Sequence, residues 1–284
     1  MSEWMEELDV VYGAWRLQLK MDEVLARQRG DHYDILLFEN KLFGRVLALD
    51  GVVQTTERDE FVFHEMIVHV PLLAHAAPRR VLIIGGGDGG ALEEVLKHDS
   101  VVSVTVVEID KAVVDCCREH MTSICGAAFE DPRTNLIIGD GVAHVAASHD
   151  QYDVILIDST DPVGPGEALF QSSFYQNCRD RLAVDGVLVS QFGVPFAEPE
   201  WLARPYLRLT DSFPEAACYL APVPANYGGF LAFCMVSGND APFAVSQEVL
   251  KRRFAVAGIE TRYYTPEMHR AAFALPPYVA EIIS

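Results

Sequence analysis

From Arg80 onward, short runs that are apolar at nearly every position alternate with stretches of helical spacing, and no other feature restricts the fold as much. The runs are Val81 to Ile84, Val101 to Val107, Thr134 to Ile138 and Val154 to Ile157, with helices predicted between them over Ala91 to Lys97 and Lys111 to His120. Strands apolar on both faces require a cover on both faces, so the pattern predicts a parallel sheet in a doubly wound α/β fold. Beyond it, helices are predicted over Gln171 to Leu182 and Pro199 to Asp211, and strands over Gly186 to Gln191, Ala217 to Ala221 and Phe230 to Val236.

The stretch before Arg80 reads differently. Strands are predicted over Tyr33 to Phe38, Arg45 to Leu49 and Val52 to Thr55, the last two joined by the hairpin signal Asp50-Gly51. A helix follows over Arg58 to Leu73, which Pro71 is expected to end or kink. The chain is therefore read as a small N-terminal antiparallel β domain, residues 1–60, and a Rossmann-like catalytic domain, residues 61–284. No repeat or low-complexity linker separates them, so they are expected to pack as one body.

Composition excludes several classes. The net charge of −19 opposes nucleic-acid binding, which needs Lys and Arg against phosphate, and suits small cationic ligands. No apolar run approaches the ~20 residues of a membrane span, and the acidic start, Glu3, Glu6, Glu7 and Asp9, is unlike a secretory signal; a cytoplasmic protein is expected. The six cysteines show no CxxC pairs or zinc-like spacing, so reduced buried thiols are expected. His64, His69 and His75 are read as packing or surface residues rather than metal ligands, since no ligand cluster stands beside them in sequence. Trp4 and the region of Trp15 are read as core or subunit contact.

In an open parallel sheet, ligands bind beyond the carboxyl ends of the strands. There, the first run opens into Gly85-Gly86-Gly87-Asp88-Gly89-Gly90, a GxGxxG pattern leading into a helix. The second ends at Glu108, 23 residues past Gly85, an interval suited to an acid on ribose hydroxyls. The third ends in Gly139-Asp140-Gly141, placing a carboxylate where an adenine amine could donate. Plain capping of the following helices is the competing role for Glu108 and Asp140. Asp88 points further: an acid among the loop's N–H donors repels a pyrophosphate or carboxylate and attracts an ammonium or sulfonium. That favours an adenosine compound with a cationic tail over NAD. The fourth run ends in Asp158-Ser159-Thr160-Asp161 on a Pro- and Gly-rich loop, two carboxylates able to converge on one amine. An alkyl amine of pKa ~10 must lose a proton to attack, so Asp158 is read as the base and Asp161 as the residue that positions the amine.

These motifs, with Leu49 to Phe61, His64-Glu65-Met66, Arg262-Tyr263-Tyr264 and Ala271 to Pro276, resemble the bacterial spermidine synthases over nearly the whole chain, about Trp15 to Pro277. The resemblance implies a methyltransferase-like Rossmann domain behind a small β domain, in a homodimer or homotetramer. It also implies transfer of the aminopropyl group of decarboxylated S-adenosylmethionine, a co-substrate, to an amine, with release of methylthioadenosine and no metal or cofactor. By the same resemblance, Tyr33, Gln54, Asp88, Glu108, Asp140, Gly141, Asp158 and Pro165 fall on the donor, and Phe63, His64, Asp88, Asp158, Asp161, Gln191 and Asn226 on the acceptor.

Three positions depart from the family. Phe63 stands where a Tyr is usual, Asn226 where an aromatic is usual, and Tyr33 where a Gln is usual. Losing one phenol hydrogen bond costs ~0.5–1.5 kcal/mol, a tenfold effect at most. Two acceptor readings stay open: a longer or differently substituted amine such as cadaverine or agmatine, or putrescine with neutral drift in the pocket. An adenosylmethionine-dependent methyltransferase and a non-catalytic polyamine-binding homologue are the competing functions.

Overall fold

The computed structural model describes residues 3–7, 16–160, 164–225 and 229–284. It opens with a hairpin of β1 (Glu3–Glu6) and β2 (Gln18–Met21), then an antiparallel sheet of β3 (Glu23–Arg29), β4 (Asp34–Asn40), β5 (Gly44–Leu49) and β6 (Val52–Thr56). Helix α1 (Glu60–Ala74) leads into β7 (Arg80–Gly85), α2 (Gly90–Leu96), β8 (Ser103–Glu108), α3 (Lys111–His120), the single turn α4 (Thr122–Cys125) and β9 (Thr134–Ile138). Next come α5 (Gly141–Ala147), β10 (Tyr152–Asp158), α6 (Ser172–Arg181), β11 (Leu182–Gln191), α7 (Pro199–Ser212), β12 (Glu215–Pro222) and β13 (Phe230–Ser237). Three helices close the chain: α8 (Gln247–Ala257), α9 (Pro266–Ala272) and α10 (Pro277–Ile282).

The large sheet has seven strands in the order β12-β13-β11-β10-β7-β8-β9. β11, β10, β7, β8 and β9 run parallel, while β13 and β12 add an antiparallel edge. Alternate residues of each central strand serve opposite faces: Val81 and Ile83 pack with α1, α2 and α8, and Leu82 and Ile84 with α5, α6, α7 and α10. Each such burial contributes about 1.5–3 kcal/mol, which is why these runs are apolar throughout. Strand order reverses between β7 and β10, so the crevice of an open sheet falls at their carboxyl ends. The small sheet packs Ile35, Leu37, Leu47 and Leu49 against Val113, Cys116 and Cys117 of α3, bringing it beside that crevice.

Several expectations are corrected. Helix α1 runs through Pro71 and ends at Ala74; in the last turn the proline costs one hydrogen bond, and the His75 N–H still reaches the Pro71 carbonyl at 2.9 Å. β3 and the β1–β2 hairpin stand ahead of the strands read from sequence; β3 is a largely exposed edge strand without alternation. The segment after Val236, left without elements in the sequence reading, holds α8, α9 and α10. Cys218 and Cys234 are directly opposed on β12 and β13 with their sulfurs in contact, and the other four cysteines are free and buried. Trp4 is 56% exposed and is not core; Trp15 lies outside the described residues. No described helix is long and apolar enough to cross a membrane.

Candidate active site

A cleft of about 1260 Å³, part of it open to solvent, lies at the switch point between the carboxyl ends of the parallel strands and the small sheet. Its described lining holds six carboxyl groups, Asp59, Glu60, Asp88, Glu108, Asp140 and Asp158, and no Lys or Arg; His64 is its one basic side chain. Such a lining favours cations.

The glycine loop after β7 folds back on β10. Gly86 N–H donates to the Asp158 carbonyl at 2.8 Å, and Gly85 sits at φ +82° with that carbonyl 2.0 Å from where a Cβ would stand, so only glycine fits. The turn therefore delivers Asp88 beside Asp158. Asp88 Oδ1 accepts from Gly90 N–H at 3.0 Å, and its Oδ2 lies 3.4 Å from His64 Nε2. Burial would raise its pKa, but the charge of the His64 ring and the Gly90 N–H outweigh that and hold it below the usual range.

Asp158 lacks such help. Its Oδ2 is buried with no hydrogen-bond partner among the described residues. Burial first, then the charge of Asp88, pushes its pKa to about 7, with His64 opposing. Glu108 is likewise pushed to about 7 by burial, although the Asp110 N–H donates to it at 2.9 Å. It does not cap α3; Asp110 does, accepting from Ala112 N–H at 3.0 Å. Asp140 does cap α5, through Oδ1 and the Val142 N–H at 2.8 Å, while also lining the cleft with Gly141.

Tyr33 and Gln54 reach the cleft from the small-sheet side. Burial drives the Tyr33 phenol to about 12, and its oxygen meets Thr160 in the loop after β10. Gln54 donates to the Val52 carbonyl at 3.1 Å. Phe63 lines the opposite wall, edge-on to His64 at 5.3 Å and tilted on Phe233 at 5.4 Å. Gln191 lines the cleft too, but its amide is largely committed: Oε1 accepts from Gly193 N–H at 2.8 Å and Nε2 donates to the Ser159 carbonyl at 3.0 Å. Asp161, Asn226 and the Pro165 side chain lie outside the described residues.

The fold brings acids to His64 that the sequence does not place beside it. His64 is 2% exposed, and one ligand atom each from His64, Asp88 and Asp158 fall within 4.8 Å of one another. Both ring nitrogens already face carboxylates, Nδ1 at 2.8 Å from Glu60 Oε2, so the cluster as built is a chain of ion pairs. Glu60 and Asp59 are site residues that the sequence reading passed over. Asp59 accepts from the Thr56 hydroxyl and the Ala225 N–H, each at 2.6 Å, and so ties the start of α1 to the turn before residue 226. The i,i+4 spacing of Glu60 and His64 was the available signal.

An open sheet with a glycine loop at its switch point and acids at successive strand ends defines a nucleoside-binding enzyme of methyltransferase-like architecture. Known proteins make this specific. Residues 60–246 match the spermine/spermidine synthase domain and residues 4–57 the spermidine synthase tetramerisation domain. The chain is 46% identical to the polyamine aminopropyltransferases of Salmonella paratyphi B and Salmonella typhimurium over 281 residues, 99% of this chain and 97% of theirs. It is similar to a crystal structure of spermidine synthase in complex with the transition-state analogue AdoDATO, with TM-score 0.93 at 38% identity, covering 99% of this chain and 94% of that one. For spermidine synthase from Thermotoga maritima the TM-score is 0.90 at 36% identity, with the same coverage. The chain belongs to the spermine/spermidine synthase family, and it is a polyamine aminopropyltransferase.

Proposed function

We propose that the cleft binds decarboxylated S-adenosylmethionine beside a di- or polyamine, and that Asp158 takes the proton that frees the amine for attack. The observation that carries this is the buried, partnerless Asp158 Oδ2 next to Asp88, in a lining without Lys or Arg. A carboxylate short of donors is completed by an ammonium, and one held near pH 7 can accept its proton at neutral pH. The amine nitrogen then attacks the propyl carbon next to sulfur. The C–S bond breaks with its electrons passing to sulfur, which leaves as the neutral thioether methylthioadenosine, and the nitrogen becomes a secondary ammonium that keeps both of its hydrogens and carries the charge the sulfonium has lost.

Glu108 is assigned to the ribose hydroxyls, Asp140 and Gly141 to the adenine, and Tyr33, Gln54 and Pro165 to the nucleoside flanks. Asp88 and Asp158 receive the cationic ends of donor and acceptor. Asp161, Gln191 and Asn226 complete the acceptor side, where Gln191 has one amide hydrogen left to give. Phe63, backed by the buried Phe233, makes that wall apolar, which supports an acceptor held by its methylene chain as much as by its far amine.

The two units, residues 1–60 and 61–284, are assigned to assembly and to catalysis, and the chain is expected to form a homodimer or homotetramer through the first. Light scattering of the purified protein reads that assembly. Activity is tested by following methylthioadenosine release from decarboxylated adenosylmethionine with a panel of putrescine, cadaverine, agmatine and spermidine. Release with at least one of them is expected, and release with none removes the reading.

A further inference from the structure

Two carboxylates as close as Asp88 and Asp158 cannot both be ionised at neutral pH without a compensating charge, yet the proposed chemistry needs Asp158 as a base. The compensating charge is visible in the geometry of His64. Its Nδ1 lies 2.8 Å from Glu60 Oε2 and its Nε2 3.4 Å from Asp88 Oδ2, while the ring is 2% exposed. A neutral imidazole has one donor and one acceptor nitrogen, and an acceptor facing a carboxylate would be repelled. Both nitrogens therefore carry hydrogen, and the ring is a cation. It is also fixed in place: a Cβ on Gly90 would come within 2.1 Å of the ring, so His64 lies directly on the start of α2.

We propose that Glu60 is a positioning residue: it holds the His64 imidazolium against Asp88, and this fixed positive charge is what permits Asp158 to ionise and serve as the base. Glu60 then acts on Asp158 through His64 and Asp88. The inference rests on the assignment of Asp158 as base. Around the His64–Asp88–Asp158 cluster the other titratable groups are Glu60 and Asp59 at the start of α1, Glu93 on α2, Glu108 at the end of β8, Cys117 on α3 and Cys125 on α4. All of these are acids, so none replaces His64 as a counter-charge. Burial by itself would strip the proton from His64, as it does at His69; the Asp88 and Glu60 carboxylates reverse that and hold His64 well above an ordinary histidine.

The test is the pH dependence of kcat/KM for E60Q, E60D, H64Q and D158N, with decarboxylated adenosylmethionine and the best amine of the panel. Loss of the Glu60 charge releases the His64 proton and raises the pKa of Asp158, so the acid limb moves to higher pH. Each unit of movement is about tenfold in kcat/KM on the acid side. E60Q and H64Q are expected to share this movement and to recover toward wild type as pH rises. E60D, which keeps the charge, is expected to lie between. Nitrogen-15 NMR of the His64 ring supplies a readout that does not need turnover: doubly protonated at pH 8 in the wild type, neutral in E60Q. If the E60Q and H64Q limbs overlay the wild type, or if His64 is neutral at pH 7 in the wild type, the inference is overturned while loss of turnover in D158N leaves the base assignment standing. Wild-type turnover in D158N overturns both. Should E60Q not fold, the NMR titration of the wild type and the H64Q limb decide the matter.

Discussion

Glu65 is a buried carboxylate and half-buried Asp158 has one buried carboxylate oxygen, and the chain treats them in opposite ways. Glu65, 1% exposed on α1, accepts three backbone N–H groups, from Arg262 at 2.6 Å, Tyr263 at 2.8 Å and Tyr264 at 2.6 Å. Every one comes from the segment between α8 and α9, so this acid locks the C-terminal helices to the body. Asp110 is used similarly. Burial alone would raise its pKa, but N–H groups that include those of His32 at 2.8 Å, Ala112 at 3.0 Å and Tyr33 at 3.1 Å hold it down and tie the small sheet to α3. Asp158 has an oxygen that no described group satisfies. A buried acid supplied with donors is part of the scaffold, and one deprived of them is completed by a ligand.

The strongest break of this contrast is D158N. Removing a positioned base costs about 10²–10⁴-fold in kcat. Thermal stability is expected to stay level or rise, because the wild-type group has a buried oxygen without a partner among the described residues. Stability against pH reads the same fact. Folded Asp158 and Glu108 keep their protons to about 7, whereas unfolded carboxyls release theirs near ~4. Between those values the folded chain binds more protons, so their contribution to stability is fully present below ~4 and lost as pH rises through 7. Urea unfolding of D158N across that range is expected to give a shallower decline than the wild type; an equal decline contradicts the assignment of Asp158.

E65Q is the converse. It removes a charge that accepts three hydrogen bonds and turns an amide hydrogen toward N–H donors, at a cost of about 2–4 kcal/mol in unfolding free energy. Below its unfolding transition kcat is expected to stay within about twofold of wild type, since no Glu65 contact reaches the cleft. A variant that keeps its stability and loses turnover would erase the distinction between the two kinds of acid. F63Y has a smaller effect still. Restoring a phenol beside His64 changes kcat/KM for a given amine by no more than about tenfold, one hydrogen bond's worth. A rise for putrescine alone would identify Phe63 as the position that sets acceptor preference, while an equal change for every amine would remove it from that role.

What could be read from the sequence follows the same division. Runs apolar on both faces announced the parallel sheet, and acids at successive strand ends announced the crevice, because both are local patterns enforced by burial and by topology. β3 carries no alternation that could show in sequence, since as an edge strand it buries little. The C-terminal helices are short and half exposed, and their attachment runs through Glu65 across nearly 200 residues of chain, with sequence separations of 197 to 199. At the site, Asp88 and Asp158 were legible from position. Glu60 and Asp59 were not, because Asp88, which His64 links to Glu60, and Ala225, which donates to Asp59, come into place only once α1 has packed beside the glycine loop. The commitment of the Gln191 amide to Ser159 and Gly193 was equally invisible, being a matter of loop geometry rather than residue type.

The gentlest probe of the two kinds of acid leaves the chain unmutated and counts protons. Decarboxylated adenosylmethionine brings a sulfonium and an ammonium into a cleft where Asp158 and Glu108 still hold protons near neutrality. Cations beside those carboxyls favour their ionised forms, so binding expels protons in the interval where the free groups are protonated and the occupied ones are not. Calorimetry in two buffers of different ionisation enthalpy is expected to show net release of up to about one proton per site near pH 6.5, fading above pH ~8 where the free carboxyls are already ionised. E65Q should release as many as the wild type, because its altered group lies outside the cleft and is saturated with backbone donors. D158N should release fewer, the remainder belonging to Glu108. Equal release from D158N and wild type would place the titrating group elsewhere, and Asp158 would then belong with Glu65 among the acids of the scaffold.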